Sequence, residues 1–157
     1  MFAREKAQFE EALGGLMAGV VAMEHIGSTA VQGLAAKPVI DIAIGLREHA
    51  FGERTIEPIT GLGYEYRAES GIPGRYYFRR GDPRSHHVHM VEYGCPEWEK
   101  NIRFRDTLRA RPDLAEEYAA LKRDLARRYA HDRPGYTLAK APFIERVLAI
   151  AAQAIRP

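Results

Sequence analysis

The feature that most constrains this chain is one aspartate inside an otherwise apolar run. Asp41 lies within Val39–Ile44, where every other residue is apolar. A run of this kind predicts a strand that is covered on both faces of its sheet. A carboxylate buried there without a partner costs free energy, so Asp41 requires either an ion pair with a buried Arg or Lys or a functional role. We favour the functional role.

A turn of small residues precedes this strand and predicts an anion-binding backbone. Gly27 suits a chain that turns sharply or approaches a ligand closely. Ser28 and Thr29 can cap a short helix whose free N–H groups point at whatever lies above the turn. We therefore expect strand, tight turn, short helix and strand over Glu24–Leu46, with these turn residues binding phosphate near the strand aspartate. Lys37 either neutralises the same phosphate or lies on the surface.

A run of histidines supplies the second group of candidate residues. His87 and His89 are separated by one residue, so on a strand both imidazoles lie on one face, with His86 as a bystander. Together with Asp41 they have the ligand types of a mononuclear Zn²⁺, Mn²⁺ or Fe²⁺ site. We predict such a metal site. Two alternatives remain, namely hydrogen-bonded core histidines and a phosphoesterase in which a histidine protonates the leaving group.

The residue two positions after Asp41 bears on the number of metal ions. Residues 41 and 43 share a face of the strand, and a two-metal site needs a second acid on that face. Ala43 occupies the position. The missing charge would therefore come from other elements, and the candidates are Glu24, Glu65, Glu69 and Glu92.

Cationic groups from the C-terminal helices could complete the site. Lys140 stands beside the apolar residues Ala139 and Phe143 and is the least surface-like of them. Ion pairs along the helices explain most such residues, yet we predict that Lys140 or Arg105 offsets the charge that develops during catalysis. The full set of candidates is Arg103, Arg105, Arg109, Lys122, Tyr136 and Lys140.

Composition limits the class of protein. The 157 residues suffice for one domain, with a sheet in residues 1–95 and a helical part in residues 96–157. Residues 96–157 carry 13 Lys and Arg against 9 Asp and Glu, an excess too small to favour nucleic acid. Cys95 is the single cysteine, which excludes a disulfide framework and a cysteine-based zinc site. No apolar run reaches membrane-spanning length, so we expect a cytoplasmic protein without a membrane partner.

Periodicity and turn residues predict the remaining elements. An α/β (α+β) fold follows, with a sheet in the first two-thirds of the chain and a C-terminal helical tail. The predicted helices are Ala3 to about Met17, Glu48–Leu62 with an interruption at Pro58, and three that begin near Pro96, Arg111 and Asp132, the last kinked at Pro142. The predicted strands are Val20–Ile26, Pro38–Leu46, Tyr64–Arg67 paired with Tyr76–Arg80, and His87–Tyr93.

These motifs, taken together and in this order, resemble the GrpB family. The resemblance covers nearly the whole chain, with one departure at Gln32, where it implies a proline. The motifs that carry it are EHIGSTAV (24–31), AKPVIDI (36–42), HHVH (86–89), RFRD (103–106), Tyr118-x-x-Leu121-Lys122 and Tyr136-Thr137-x-Ala139-Lys140.

The resemblance implies a branch of the nucleotidyltransferase superfamily. Its members would have a mixed sheet flanked by helices, a Gly-Ser turn that grips a nucleotide triphosphate, and strand acids that hold Mg²⁺. For this chain we expect Mg²⁺ or Mn²⁺, with Zn²⁺ as an alternative. Gly27, Ser28 and Asp41 match that motif, but Ala43 does not. Some members resemble an extra domain of dephospho-CoA kinase with an accessory role. The expectations are thus a metal-dependent nucleotide-binding protein of the nucleotidyltransferase type, or a catalytically inactive module that binds nucleotides or anions.

Overall fold

Five strands form one mixed sheet, and helices flank it. The computed structural model describes residues 1–34 and 38–155, without the side chain of Ile155. The strands are β1 (Val20–Ile26), β2 (Ile40–Leu46), β3 (Glu65–Tyr66), β4 (Tyr76–Arg80) and β5 (His86–Glu92). The helices are α1 (Phe2–Leu13), α2 (Ile56–Thr60), α3 (Pro96–Ala110), α4 (Pro112–Arg128) and α5 (Arg133–Ile155), and 3₁₀ segments cover Gly14–Gly19, Ser28–Ala30 and His49–Thr55.

The order of the strands brings distant parts of the sequence together. The sheet runs β1-β2-β5-β4-β3. Strand β2 is antiparallel to β1 and parallel to β5, and β4 is antiparallel to β5 and to β3. In the parallel pair Asp41 lies opposite His87, and Ala43 lies opposite His89. Residues that are 46 positions apart in the chain are therefore neighbours in the sheet.

The two faces of the sheet differ in chemistry. One face is apolar and packs against α1 and α2. Because side chains alternate along each strand, Asp41 and Ala43 of β2 and His87 and His89 of β5 lie on the opposite face, which α3 partly covers through Trp98. The apolar face includes Phe9, Leu13, Ile42, Ile44, Leu46, Ile59, Phe78, Val88 and Met90.

The three C-terminal helices form a second apolar cluster beside the end of β1. Helices α3, α4 and α5 pack against one another and against Val31, which follows the turn after β1. Asp132 accepts the N–H of Gly135 through Oδ1 at 3.0 Å, so it caps α5 as predicted. The members of the cluster are Val31, Leu108, Leu114, Tyr118, Phe143 and Val147. This packing brings α4 over the turn at Gly27.

The fold class predicted from sequence is confirmed, and three local predictions need correction. Helix α1 ends at Leu13 rather than near Met17, because Gly14 takes a φ of +50°. Residues 48–62 form a 3₁₀ segment and the short α2 instead of one long helix. The helix expected after Gly27 is a three-residue 3₁₀ turn with no side-chain cap. Among the described residues, no helix has the length and apolar character needed to span a membrane.

Candidate functional site

The carboxylate of Asp41 lies between two imidazoles at the start of the parallel strand pair. Oδ1 of Asp41 is 3.2 Å from Nδ1 of His87 and 3.0 Å from Nε2 of His89. One potential ligand atom from each of the three residues lies within 4.8 Å of the others. Alternation along the strands predicts that these side chains share a face, and the structure brings them together. Their role as metal ligands stays a prediction.

The electrostatics of this cluster keep Asp41 ionised. Burial alone would raise the pKa of Asp41, but the hydrogen bonds from His87 and His89 and their proximity outweigh it, and the pKa falls well below its ordinary value. An ionised carboxylate only accepts hydrogen bonds. Both imidazoles therefore donate an N–H to Oδ1.

One atom of the cluster is buried without a hydrogen bond. Nε2 of His87 is the one buried side-chain nitrogen or oxygen in the described part of the chain that lacks a partner. Buried polar groups are almost always satisfied in folded proteins, so such an atom indicates a missing water, ion or ligand. The carboxylate of Asp41 and the imidazoles of His87 and His89 are the donor types that a divalent cation with affinity for nitrogen and oxygen takes.

An arginine that the sequence analysis did not single out holds the second imidazole. Arg75 directs Nη1 at Nδ1 of His89 across 3.1 Å. Its guanidinium also lies over the ring of Tyr77, with 4.4 Å between its central carbon and the ring centroid. The ring of Tyr77 lies beside both imidazoles. Sequence gave no signal for Arg75, because it is one of several arginines in β4 and its flanks.

The turn at Gly27 lies against the carboxylate of Asp41. Gly27 has a φ of +73°, and a Cβ added there would be 2.7 Å from Oδ2 of Asp41. No larger residue fits without displacing that carboxylate. The turn and the strand aspartate, which the sequence analysis paired, are therefore in contact.

Ser28 connects this turn to helix α4. Lys122 donates from Nζ to the hydroxyl of Ser28 at 2.6 Å, and the hydroxyl of Tyr118 lies near Ser28. Burial, followed by the influence of Tyr136, raises the pKa of Tyr118 to about 12. Its hydroxyl is therefore protonated at neutral pH. A cation and two hydroxyl groups thus lie together at the turn beside Asp41.

Thr29 performs a structural task in the turn. Its hydroxyl donates to the carbonyl of Val39 at 3.1 Å and lies 2.9 Å from Nε2 of His25. These bonds join the end of β1 to the residue before β2. The predicted phosphate contact of Thr29 would have to use its backbone, since the hydroxyl already has two partners.

The two predicted catalytic cations occupy different settings. Arg105 is buried, and its guanidinium contacts Glu24, Asp106 and the carbonyl of His25. Those contacts attach α3 to β1, and none of them is with Asp41. Lys140 lies on α5 with Nζ 4.6 Å from the centroid of the Tyr136 ring. The catalytic roles of both residues stay predictions, and Lys37 lies outside the described residues.

No second carboxylate from the candidate list joins the cluster. Ala43 is 2% exposed and packs with Ile26, Val91 and Trp98. The four glutamates have other partners in the described structure: Glu24 contacts Arg105, Glu65 contacts Arg67 and Arg79, Glu69 accepts the Gly74 N–H, and Glu92 accepts the His49 N–H. The site therefore has the donor set of one cation rather than two.

The fold and the site define an α+β protein with a carboxylate–histidine cluster beside a glycine turn. Comparison with known proteins gives the family: the chain belongs to the GrpB protein family, whose model matches residues 1–149. It is 32% identical over 154 residues to the glutamate-rich protein GrpB of Alkalihalophilus pseudofirmus, covering 94% of this chain and 87% of that protein. The crystal structure of the conserved protein GrpB from Enterococcus faecalis superimposes with a TM-score of 0.87 and 33% identity, covering 98% of this chain and 91% of that one.

Other relatives are much longer than the region that matches. The chain is 42% identical over 127 residues to the UPF0157 protein YqkA of Bacillus subtilis, covering 80% of this chain but 37% of that protein. A dephospho-CoA kinase of Mycolicibacterium paratuberculosis is 31% identical over 147 residues, covering 77% of this chain and 36% of the kinase. Domains of this family thus occur within larger proteins.

Proposed function

We propose that this chain binds one divalent cation together with a nucleotide or another small phosphate ester, as a domain of the nucleotidyltransferase type. The observation that carries the proposal is the convergence of Asp41, His87 and His89 beside the turn at Gly27. Carboxylate and imidazole donors favour Mn²⁺ or Zn²⁺, and Mg²⁺ suits a site that shares its ion with phosphate oxygens. The bound cation would neutralise phosphate charge.

The groups around the turn support the phosphate part of the proposal. Lys122 and Ser28, joined by their 2.6 Å hydrogen bond, would orient a phosphate oxygen, and the protonated hydroxyl of Tyr118 would donate to it. Asp41 would hold the cation with one of the two imidazoles. A cationic side chain and an anionic one in the same small site suit a ligand that is itself a complex of metal and phosphate.

A second candidate function is nucleotide or anion binding without transfer, as in an accessory module. Ala43 favours it, because transfer chemistry with two ions requires a second acid on that face of the strand and this residue is buried among apolar neighbours. A similar region occurs within a longer dephospho-CoA kinase, as we expect of an accessory module.

Both candidate functions require that the chain bind a nucleotide, and titration calorimetry tests this binding. The purified chain is titrated with Mn²⁺ or Zn²⁺, and then with ATP in the presence and absence of Mn²⁺. We expect metal-dependent ATP binding that weakens by at least about tenfold in Asp41→Asn. Glu65→Gln, which alters an exposed acid on the same sheet, is the matched control and should bind as the wild type does. Absence of metal and ATP binding by the wild type, or equal binding by Asp41→Asn, would refute the proposal.

Pyrophosphate release separates the two candidates. The chain is incubated with nucleoside triphosphates, Mn²⁺ and a panel of small-molecule and protein acceptors. Release that depends on both the acceptor and Asp41 supports transfer. Binding without any release across the panel supports the module.

A further inference from the structure

We propose that Arg84 and Arg133 form a second anion subsite beside the candidate site, on the side of Asp41 opposite to the turn at Gly27. This subsite would bind a phosphate group or a comparable oxyanion. Its role next to a bound cation rests on the proposed function. The arrangement of the two arginines does not, because it follows from the positions of β4, β5 and α5.

The order of the strands places Arg84 on the far side of Asp41 from the glycine turn. Gly27 follows β1 and contacts Asp41 of β2, so the turn lies toward the β1 edge of the sheet. Arg84 lies between β4 and β5, the two strands that follow β2 in the sheet. The carbonyl of the next residue, Ser85, accepts the N–H of Ile40 at 2.9 Å. Arg84 is therefore at the same end of the sheet as Asp41.

Tyr77 connects Arg84 to the candidate site electrostatically. Tyr77 of β4 lies opposite His89 of β5, and its ring lies beside both imidazoles of the site. Burial raises the pKa of the Tyr77 hydroxyl, the positive charge of Arg84 opposes this shift, and the negative charge of Asp41 adds to it. The charge of Arg84 therefore acts on the same face of the sheet as that of Asp41.

Helix α5 supplies the second arginine. Arg133 is the first residue of α5, and Tyr136, three residues later, lies on the same side of the helix. Burial and then the proximity of Tyr136 raise the pKa of Tyr118, so Tyr136 lies near the Tyr118 hydroxyl beside Ser28. The first turn of α5 is thus at the candidate site.

Arg84 and Arg133 are close enough to repel one another. Burial lowers the pKa of Arg84, and the positive charges of Arg133 and then Arg79 lower it further. Arg79 is neutralised by Glu65, whose Oε2 lies 3.1 Å from its Nε. The uncompensated part of this repulsion is therefore the pair formed by Arg84 and Arg133.

The chain itself does not neutralise this pair. Within residues 1–34 and 38–155, Arg84 and Arg133 take part in no hydrogen bond or ion pair. The acids next to them in sequence, Asp82 and Asp132, form no ion pair with either one, and Asp132 instead caps α5. The helix dipole also disfavours a cation in the first turn of α5. Two guanidinium groups held together at this cost suit an oxyanion between them, which both can bind through charge-assisted hydrogen bonds.

The two anion positions would then flank the proposed cation. Ser28 and Lys122 lie on the β1 side of Asp41, and the arginine pair lies on the β4 side. The second oxyanion has two possible sources, namely the distal phosphates of the same nucleotide or an anionic group of a separate substrate. The chemistry of the subsite is the same in both cases.

Ligands with different numbers of phosphates test the subsite. Wild type, Arg84→Gln and Arg133→Gln are titrated with AMP and with ATP in the presence of Mn²⁺ by calorimetry. Inorganic phosphate is titrated separately into the metal-free proteins, and the arginine Nε–Hε signals in ¹H–¹⁵N spectra report its binding. We expect each variant to bind ATP or inorganic phosphate about tenfold more weakly, the effect of losing a charge-assisted hydrogen bond, and to bind AMP as the wild type does.

Arg111→Gln is the matched control for the loss of one positive charge. Arg111 pairs with Asp113 and lies roughly 16 Å along α4 from Lys122, so this variant should bind all three ligands as the wild type does.

Each outcome decides the proposal. Weaker ATP binding in the two variants would assign the subsite to the distal phosphates of the nucleotide, and weaker phosphate binding alone would assign it to a separate anionic ligand. Unchanged affinities for both ligands would overturn the subsite while leaving the proposed function intact. A wild type that binds phosphate through Arg84 but binds no nucleotide would refute the proposed function and support the subsite. A wild type that binds neither would refute both.

Discussion

Replacing Gly27 with alanine is the sharpest test of the contact between the turn and the strand aspartate. Gly27 combines a φ of +73° with a ψ of −173°, a region that residues with a Cβ rarely enter, at a cost of roughly 1–3 kcal/mol. The new Cβ would also lie 2.7 Å from Oδ2 of Asp41 and 3.1 Å from its Cβ and Cγ. The carboxylate must then move, and a weakened hydrogen bond to a charged group costs about 1.5–3 kcal/mol.

The two costs together predict a loss of unfolding free energy on the order of 4 kcal/mol. For a chain of this size that corresponds to a fall in Tm of roughly 8–16 °C. Urea denaturation followed by circular dichroism measures the free energy, and thermal melting measures Tm. Gly94→Ala is the matched control, because Gly94 has a φ of +79° with nothing within 4 Å of the added Cβ.

A double-mutant cycle separates the collision of the new Cβ with Asp41 from the backbone strain at residue 27. In an Asp41→Ala background the atoms Oδ2 and Cγ are absent, so Gly27→Ala should cost about 1–2 kcal/mol less than it does in the wild type. The reasoning fails if Gly27→Ala costs no more than Gly94→Ala, or if its cost is the same in both backgrounds.

Three further changes test other parts of the structure. Because the pKa of Tyr118 is raised to about 12, its protonated hydroxyl stabilises the fold fully below about pH 10, and this stabilisation is lost between about pH 10 and pH 12. Urea denaturation across that pH range should show that the unfolding free energy of Tyr118→Phe falls by about 2–3 kcal/mol less than that of the wild type. Equal falls in the two proteins would show that Tyr118 is not the cause. Arg105→Met should lower the unfolding free energy by about 1–2 kcal/mol in urea, because Glu24 is partly exposed and loses a partner; an unchanged value would mean that these bonds do not hold α3 to β1. Ala43→Asp should cost about 3–5 kcal/mol by thermal melting, and undiminished stability would show that a second acid fits there.

Most of the sheet could be predicted because its strands have simple patterns. The boundaries of β1 and β4 match the prediction from sequence, and those of β2, β3 and β5 differ from it by at most two residues at an end. Continuous apolar runs and turn glycines carry that information. Residues 48–62 were harder, because Pro58 and the packing of Gly52 against Tyr76 break the helical pattern locally. The interruption at Pro58 is visible in the sequence, whereas the packing of Gly52 against Tyr76 is a tertiary contact that the periodicity does not contain.

The central residues of the candidate site could be predicted from the sequence, but the residues around them could not. Asp41, His87 and His89 stand out in the sequence as polar residues in apolar strands, and alternation puts them on one face. The contribution of Arg75 could not be predicted, since it depends on where β4 lies in the sheet and on the path of the loop before it. Lys122 appeared in the sequence only as one of several helical cations, and its contact with Ser28 requires the packing of α4 over the turn.

The parallel pairing of β2 and β5 limits how this chain can vary in length. His86, Val88 and Met90 point to the apolar face, and His87 and His89 point to the other. Inserting or deleting one residue within His86–Glu92 would reverse those directions for every residue beyond the change. It would bury imidazoles in the core and turn a valine and a methionine toward Asp41. Insertions and deletions among GrpB proteins that keep the cluster are therefore expected between the strands, and an alignment of homologues with gaps inside either strand would contradict this.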